Sequence, residues 1–281
     1  MTLNFLKFAS AAAIATIIAT VPALAGPLQD RIDAGKPIRI GFSNIPNFGF
    51  PGADGNAEGF MNDIAVNTLK SMGYTNIETV VTEWGGLIPG LQAGRFDLIT
   101  GGLYITSARC ENIAFSEPAG SFGDAFLVEA GNPKGINTYE DILNSEYILT
   151  LGTGYNTVEA ARKVGIPDAQ LMQVPGPTEM FAALNAGRAD AAVLTYFEAD
   201  SLVQASEGKL ELGDAAQLPE WTKNWAGMGF RSDDSDFVAE YNAAQAAYLG
   251  SAEMLETVGV HGYTEVHLPG DVTMAWACEN R

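Results

Sequence analysis

Side chains able to do covalent or metal chemistry are scarce in this chain, and their spacing narrows what it can do. The only histidines are His261 and His267, and the only cysteines are Cys110 and Cys278, with no Cys-x-x-Cys pair. That set offers no metal-ligand spacing. In an oxidising compartment an even cysteine pair reads as a disulfide. Such a bridge closes a loop of about 170 residues, worth roughly 4–5 kcal/mol at most by loop entropy. Two free thiols are the other reading. The glycine-rich string 152–157 (GTGYNT) lacks the lysine and the spacing of a phosphate loop. These residues point to no catalytic group, no metal and no cofactor.

The compartment is read from the N-terminus. Lys7 precedes the apolar stretch 9–19, and Ala23-Leu24-Ala25 forms a small-residue cleavage motif before Gly26. That is the pattern of an export signal. No cysteine follows the cleavage position, so no lipid anchor is expected, and no later apolar run approaches the roughly 20 residues that span a bilayer. A soluble periplasmic protein of 256 residues, 26–281, is expected. The formal charge is −19, and −20 once Lys7 is removed. A chain this acidic, without basic clusters, is repelled by nucleic acid and by anionic lipid, which excludes both as partners.

Elements that could position a site alternate in a regular rhythm. Residues 38–42 read as a strand, 60–72 as a helix with Ile64, Leu69 and Met72 inward, and 77–82 as a second strand. Strand, helix, strand implies βαβ units and a largely parallel sheet. An internal repeat is the clearest signal: LIPGLQAGRFD at 87–97 and MFAALNAGRAD at 180–190. Each copy is a helix closed by a glycine (Gly94, Gly187) suited to a left-handed C-cap. Each then runs through Arg-x-Asp into an apolar strand. One copy in each half implies two lobes on one plan.

Between the copies, 124–129 reads as an apolar strand, and 225–230 as a second. Paired as crossovers, they take the chain out of lobe 1 and back. The expected division is a signal at 1–25, lobe 1 from 26–127 and 231–281, and lobe 2 from 128–230, with the tail after 234 packed on lobe 1. A Cys110–Cys278 bridge agrees with that placement. The fold class is therefore α/β, a two-lobed clamshell with two crossover hinge strands, suited to closing about a ligand. Loops at the carboxyl ends of its strands, 100–104 and 152–157, face the crevice.

Gly102-Leu103-Tyr104-Ile105-Thr106-Ser107-Ala108-Arg109, followed by Ile113-Ala114-Phe115-Ser116, resembles the signature of periplasmic polar amino-acid-type (family 3) solute-binding proteins of ABC importers. Within that family the stretches 84–95, 109–111, 131–135, 139–142 and 277–279 are most similar to ectoine/hydroxyectoine-binding proteins. The resemblance covers essentially the whole chain after the signal and implies a type II periplasmic-binding-protein fold, a monomer and a membrane permease as partner.

The resemblance also implies roles for particular residues. Arg109 forks onto the ligand carboxylate, a contact the planar guanidinium suits; a surface pairing with Glu111 is the bland alternative. Phe48, Trp84 and Tyr104, beside Gly102, form a cage whose ring faces attract a delocalised cation, with Tyr155 and Tyr196 adding to the wall. Asn156, or Thr157 in reserve, offers a lobe-2 contact to a carboxylate. Two departures stand out. Thr195 occupies the position of the aspartate that holds an α-ammonium in general amino-acid binders, which disfavours an ordinary amino acid. Ile45 occupies the position of a glutamate that accepts the ectoine ring N–H, which brings betaines and sulfonium zwitterions into play unless Asn44 or Asn47 substitutes.

The leading expectation is a binding module for a small zwitterionic compatible solute of the ectoine type. A dehydratase-like enzyme on the same clamshell is one alternative, although Glu83 and Glu198, the acids nearest the predicted cleft loops in sequence, read as solvated or structural. A sensor coupled to a receptor is the other.

Overall fold

The computed structural model describes residues 26–281; the export-signal reading of 1–25 lies outside the described residues. A mixed sheet carries the architecture. Its strands run in the order Ile77–Val81, Ile38–Phe42, Leu98–Tyr104, Lys223–Phe230, Gly120–Glu129, Ala191–Thr195, Leu149–Gly152 and Leu171–Val174. Ile38–Phe42 lies parallel to both of its neighbours, and so does Leu149–Gly152 with Leu171–Val174 and Ala191–Thr195. Each parallel unit therefore has its first strand in the middle, its second outside and its third inside. The two units meet across the antiparallel pair Gly120–Glu129 and Lys223–Phe230.

The repeat explains why the two units match. In the first copy the helix Leu87–Gln92 ends at Gly94 (φ +67°), and in the second Pro177–Asn185 ends at Gly187 (φ +63°). Both ends carry the same bonds: Arg95 N–H donates to Gly90 C=O and Arg188 N–H to Ala183 C=O. The acid that follows does equivalent work in each. The Asp97 carboxylate accepts from the Arg39 N–H at 2.9 Å, and Asp190 accepts from the Ile148 N–H at 2.6 Å. Arg-x-Asp thus ties the third strand of each unit to its first. Asp97 goes further: it is buried and ion-paired to Arg31, Arg39 and Arg231.

The crossover differs in detail from the apolar stretches 124–129 and 225–230. The two strands pair through Gly120↔Ala226 to Gly123↔Lys223. Residues 124–128 pair instead with Ala191–Thr195, and 226–230 with Leu98–Tyr104. The crossover pairing thus overlaps the expected 225–230 stretch at Trp225 and Ala226, while 124–129 begins just beyond it.

Ile64 and Leu69 of the helix Phe60–Ser71 are buried as expected, with Met72 half-buried at its end. The tail helix Ser235–Tyr248 adds Phe237 and Tyr241 to the same core. Cys110 and Cys278 are joined as a disulfide, fastening Met274–Asn280 to the first unit.

Candidate ligand-binding site

Tight backbone turns bring the candidate residues together. Residues 45–49 fold back on themselves, with Ile45 and Gly49 exchanging N–H···O=C bonds of 2.8 and 3.0 Å. Asn47 sits at φ +67° in this turn, and Phe48 is thereby turned inward. Its ring packs 4.5 Å from Phe60, 4.8 Å from Phe122 and 5.7 Å from Phe197. Gly102 is at φ +95°, and a Cβ there would fall 2.4 Å from the Phe48 ring. Only glycine lets the strand and the ring approach so closely.

These turns enclose a small cavity between the two sheet units. Ile45, Phe48, Trp84, Gly101, Gly102 and Tyr104 line it from the first, and Tyr155, Asn156, Thr195 and Glu198 from the second. It has room for about one water, about 20 Å³. A crevice of about 300 Å³ lined by Asn44, Glu83, Thr178 and Glu179 shares Ile45, Trp84 and Tyr155 with the cavity and forms its vestibule. Contacts across the units hold the two apart. The Trp84 indole donates to Gly154 C=O at 3.1 Å, and its ring lies 5.2 Å from Tyr155. Two further crevices of about 280 and 320 Å³ flank the crossover; the first shares only Asn156 with the cavity and adds Asp124 and Trp221, and the second shares none of its lining.

Arg109 stands behind this wall. Its helix, Ser107–Cys110, is pinned by the disulfide and by the Ser107 hydroxyl, which donates to Cys278 C=O at 2.6 Å. The guanidinium is 8% exposed. It donates to Tyr104 C=O at 2.8 Å and, across the units, to Gly154 C=O at 2.9 Å, and lies 5.7 Å from the Trp84 ring. Among the described residues it has no ion-pair partner. The alternative pairing with Glu111 is therefore not made. Burial pushes its pKa down to about 10. A buried guanidinium without an acid is costly in isolation and leaves three of its five N–H donors for another group.

Other predicted residues are placed less simply. Phe48, Trp84, Tyr104, Gly102, Tyr155, Asn156 and Thr195 all reach the cavity. Tyr196 does not: it is 45% exposed and lines a crevice with Ser121 and Lys223. Thr195 caps the helix Tyr196–Ala205, and one helical step turns Tyr196 about 100° away from it. Thr157 is buried with its hydroxyl unpartnered, but off the cavity wall. Neither Asn44 nor Asn47 stands on the wall where Ile45 replaces the expected acid.

Glu198 is the residue that sequence reasoning set aside. It follows Thr195 by three, as in an ordinary capping box, yet it is 2% exposed and lies on the cavity wall. One carboxylate oxygen accepts from the Tyr155 hydroxyl at 2.8 Å and the other from the Thr195 hydroxyl at 2.8 Å. Burial raises its pKa against those hydrogen bonds. Asp124, buried beside the crossover, is raised to about 7 by burial, against the Tyr139 hydroxyl that donates to it at 2.8 Å and the nearby Asn156 amide. The Tyr104 hydroxyl is buried without a partner.

Comparison with known proteins places this geometry. Residues 38–257 match the model of the bacterial extracellular solute-binding proteins, family 3. The chain belongs to that family. A probable amino-acid ABC transporter periplasmic-binding protein, y4tE of Sinorhizobium fredii, is 28% identical over 98% of this chain and 93% of its own length. Among solved structures, EhuB in complex with hydroxyectoine superposes with a TM-score of 0.80 at 27% identity, over 90% of this chain and 97% of EhuB. An ancestral amino-acid-binding protein, described as a precursor of cyclohexadienyl dehydratase, superposes at 0.70 with 25% identity, over 83% and 98% of the two chains. The fold is the type II periplasmic-binding-protein clamshell. Members of the family are extracellular proteins that bind solutes.

Proposed function

We propose that this chain is the periplasmic substrate-binding component of an ABC importer for a small zwitterionic compatible solute, ectoine or hydroxyectoine. One observation carries the reading: buried Arg109 has no acid within ion-pair distance among the described residues, and its guanidinium bonds to the backbone of Tyr104, a residue of the aromatic cavity wall. A ligand carboxylate supplies the missing charge, and the faces of Phe48, Trp84 and Tyr104 receive a cation spread over an apolar body. Structural similarity to EhuB, solved with hydroxyectoine bound, supports this reading.

The cavity is far smaller than such a ligand, so entry requires the units to part. Lobe 1 (26–127 and 231–281) and lobe 2 (128–230) open about the 120–123 and 223–226 pairing, a few residues before the boundaries the sequence suggested. Contacts from both lobes favour the closed state when the ligand is present, and the closed form presents both lobes to a permease. We read the protein as a monomeric carrier and not an enzyme, a reading supported by the binding-protein names of its relatives.

Isothermal calorimetry with ectoine, hydroxyectoine, glycine betaine, a sulfonium zwitterion and a set of amino acids tests this. Micromolar or tighter binding of a compatible solute, recovered unchanged by NMR, is expected; no heat from any of them with folded protein overturns it. Apolar Ile45 on the wall favours a second reading, a fully alkylated cation that needs no N–H acceptor.

A further inference from the structure

From the placement of Glu198 on the cavity wall opposite the arginine's lobe, we infer that Glu198 is the anionic acceptor for a ligand cation bearing N–H groups. This rests on the zwitterion reading above and narrows it, against the fully alkylated alternative. The acid missing at Ile45 in the first lobe is supplied from the second.

A capping box explains the bonds of Glu198 to Thr195 but not its surroundings. Such boxes normally sit at solvent-exposed helix starts, where an acid costs little. Here the carboxylate is almost fully buried, no lysine, arginine or histidine among the described residues pairs with it, and the space it faces is the aromatic cavity. Its bonds to Thr195 and Tyr155 leave acceptor capacity on a group with about four lone-pair sites. Burial raises its pKa, as expected of an anion still lacking its counter-charge. A ligand cation that donates N–H supplies both the charge and the bond.

Tyr155 sets the spacing. Its backbone follows Gly154, whose C=O receives the Arg109 guanidinium, and its hydroxyl donates to Glu198. The two unpaired charges are thus held apart by about one tyrosine side chain. Arg109 then takes the carboxylate end and Glu198 the cationic end. The unpartnered Tyr104 hydroxyl on the same wall offers a further polar contact.

The test compares ectoine, whose cyclic amidinium carries N–H, with glycine betaine, which has none, by calorimetry on the wild type and Glu198→Gln. Glutamine removes the charge and keeps one acceptor oxygen, enough for the Thr195 N–H and hydroxyl; its NH2 then faces the Tyr155 hydroxyl, which turns to accept. The wild type is expected to bind ectoine at least 30-fold tighter than betaine. In Glu198→Gln that ratio should fall at least tenfold, with the melting temperature of the free protein unchanged or raised. Wild-type preference for betaine overturns the inference and leaves zwitterion binding intact. An unchanged ratio in Glu198→Gln overturns it too. So does an affinity loss in Glu198→Gln matched by a lowered melting temperature of the free protein, since that would report only the cap. Absence of binding to every zwitterion fells the reading on which it rests, and the inference with it.

Discussion

The two sheet units share a frame and diverge at the site. Each has a helix ending in Ala-Gly-Arg, then an aspartate bonded to the first strand's backbone. At the cavity the first contributes rings and lies in front of a buried cation, Arg109, whereas the second contributes a glycine turn and a buried anion, Glu198. Duplicated backbone geometry positions loops; it does not dictate their charge. On the proposed function, Arg109 behind the wall and Glu198 on it would meet the two ends of a ligand that is itself a dipole.

The comparison can be broken most sharply at the cation. Arg109→Ala should cost about 5 kcal/mol of ligand affinity, since it strands the ligand carboxylate. Calorimetry checks this, and near-normal affinity would remove its assigned role. Next is the fastening that only the first unit has. Replacing Cys110 and Cys278 by serine should lower stability by about 4–5 kcal/mol at most, read from urea unfolding, and should weaken binding because Arg109 neighbours Cys110.

Between the units, Asp124 carries a pKa raised from 3.8 to about 7. The folded state therefore holds that proton more tightly than the unfolded chain. Its ionisation penalty is absent below pH 4, grows as pH rises and is complete above pH 7. Asp124→Asn should stabilise the protein by up to about 4 kcal/mol at pH 8 and hardly at all at pH 4, measured as melting temperature across that range. A uniform effect would contradict the burial argument.

Within the shared frame, the repeat aspartates should differ. Asp97→Ala strands three arginines around a fully buried position and should cost about 3 kcal/mol. Asp190→Ala, partly exposed with one lysine partner, should cost about 1 kcal/mol. Equal losses would mean the two copies carry equal load. The smallest signal is optical: opening should release Trp84 from Gly154 and Tyr155 and shift its fluorescence, which ligand then reverses.

Much of this was legible because it is local or covalent. The glycine C-caps and the Arg-x-Asp repeat depend on residues a few positions apart, so they show in a linear string. The signature around Arg109 is likewise contiguous. Other features were misread for a consistent reason. Tyr196 points outward because a helix begins at Thr195, and the turn of that helix decides which neighbour faces in. Glu198 reads from sequence as a solvated or structural acid because the residues that share its cavity wall, Trp84, Tyr104 and Phe48, are all distant in sequence.

The sequence by itself determined the duplicated βαβ frame and the cysteine pair, because each is written in spacing or residue type; the arginine and ring positions of the site were implied by the resemblance to a known family. Only the tertiary structure decided where the crossover lies, which side chains share the cavity and that Glu198 stands in it without a cation. Desolvation is the physical reason. A charge acquires its meaning from the surfaces that exclude water around it, and those surfaces come from both halves of the chain at once.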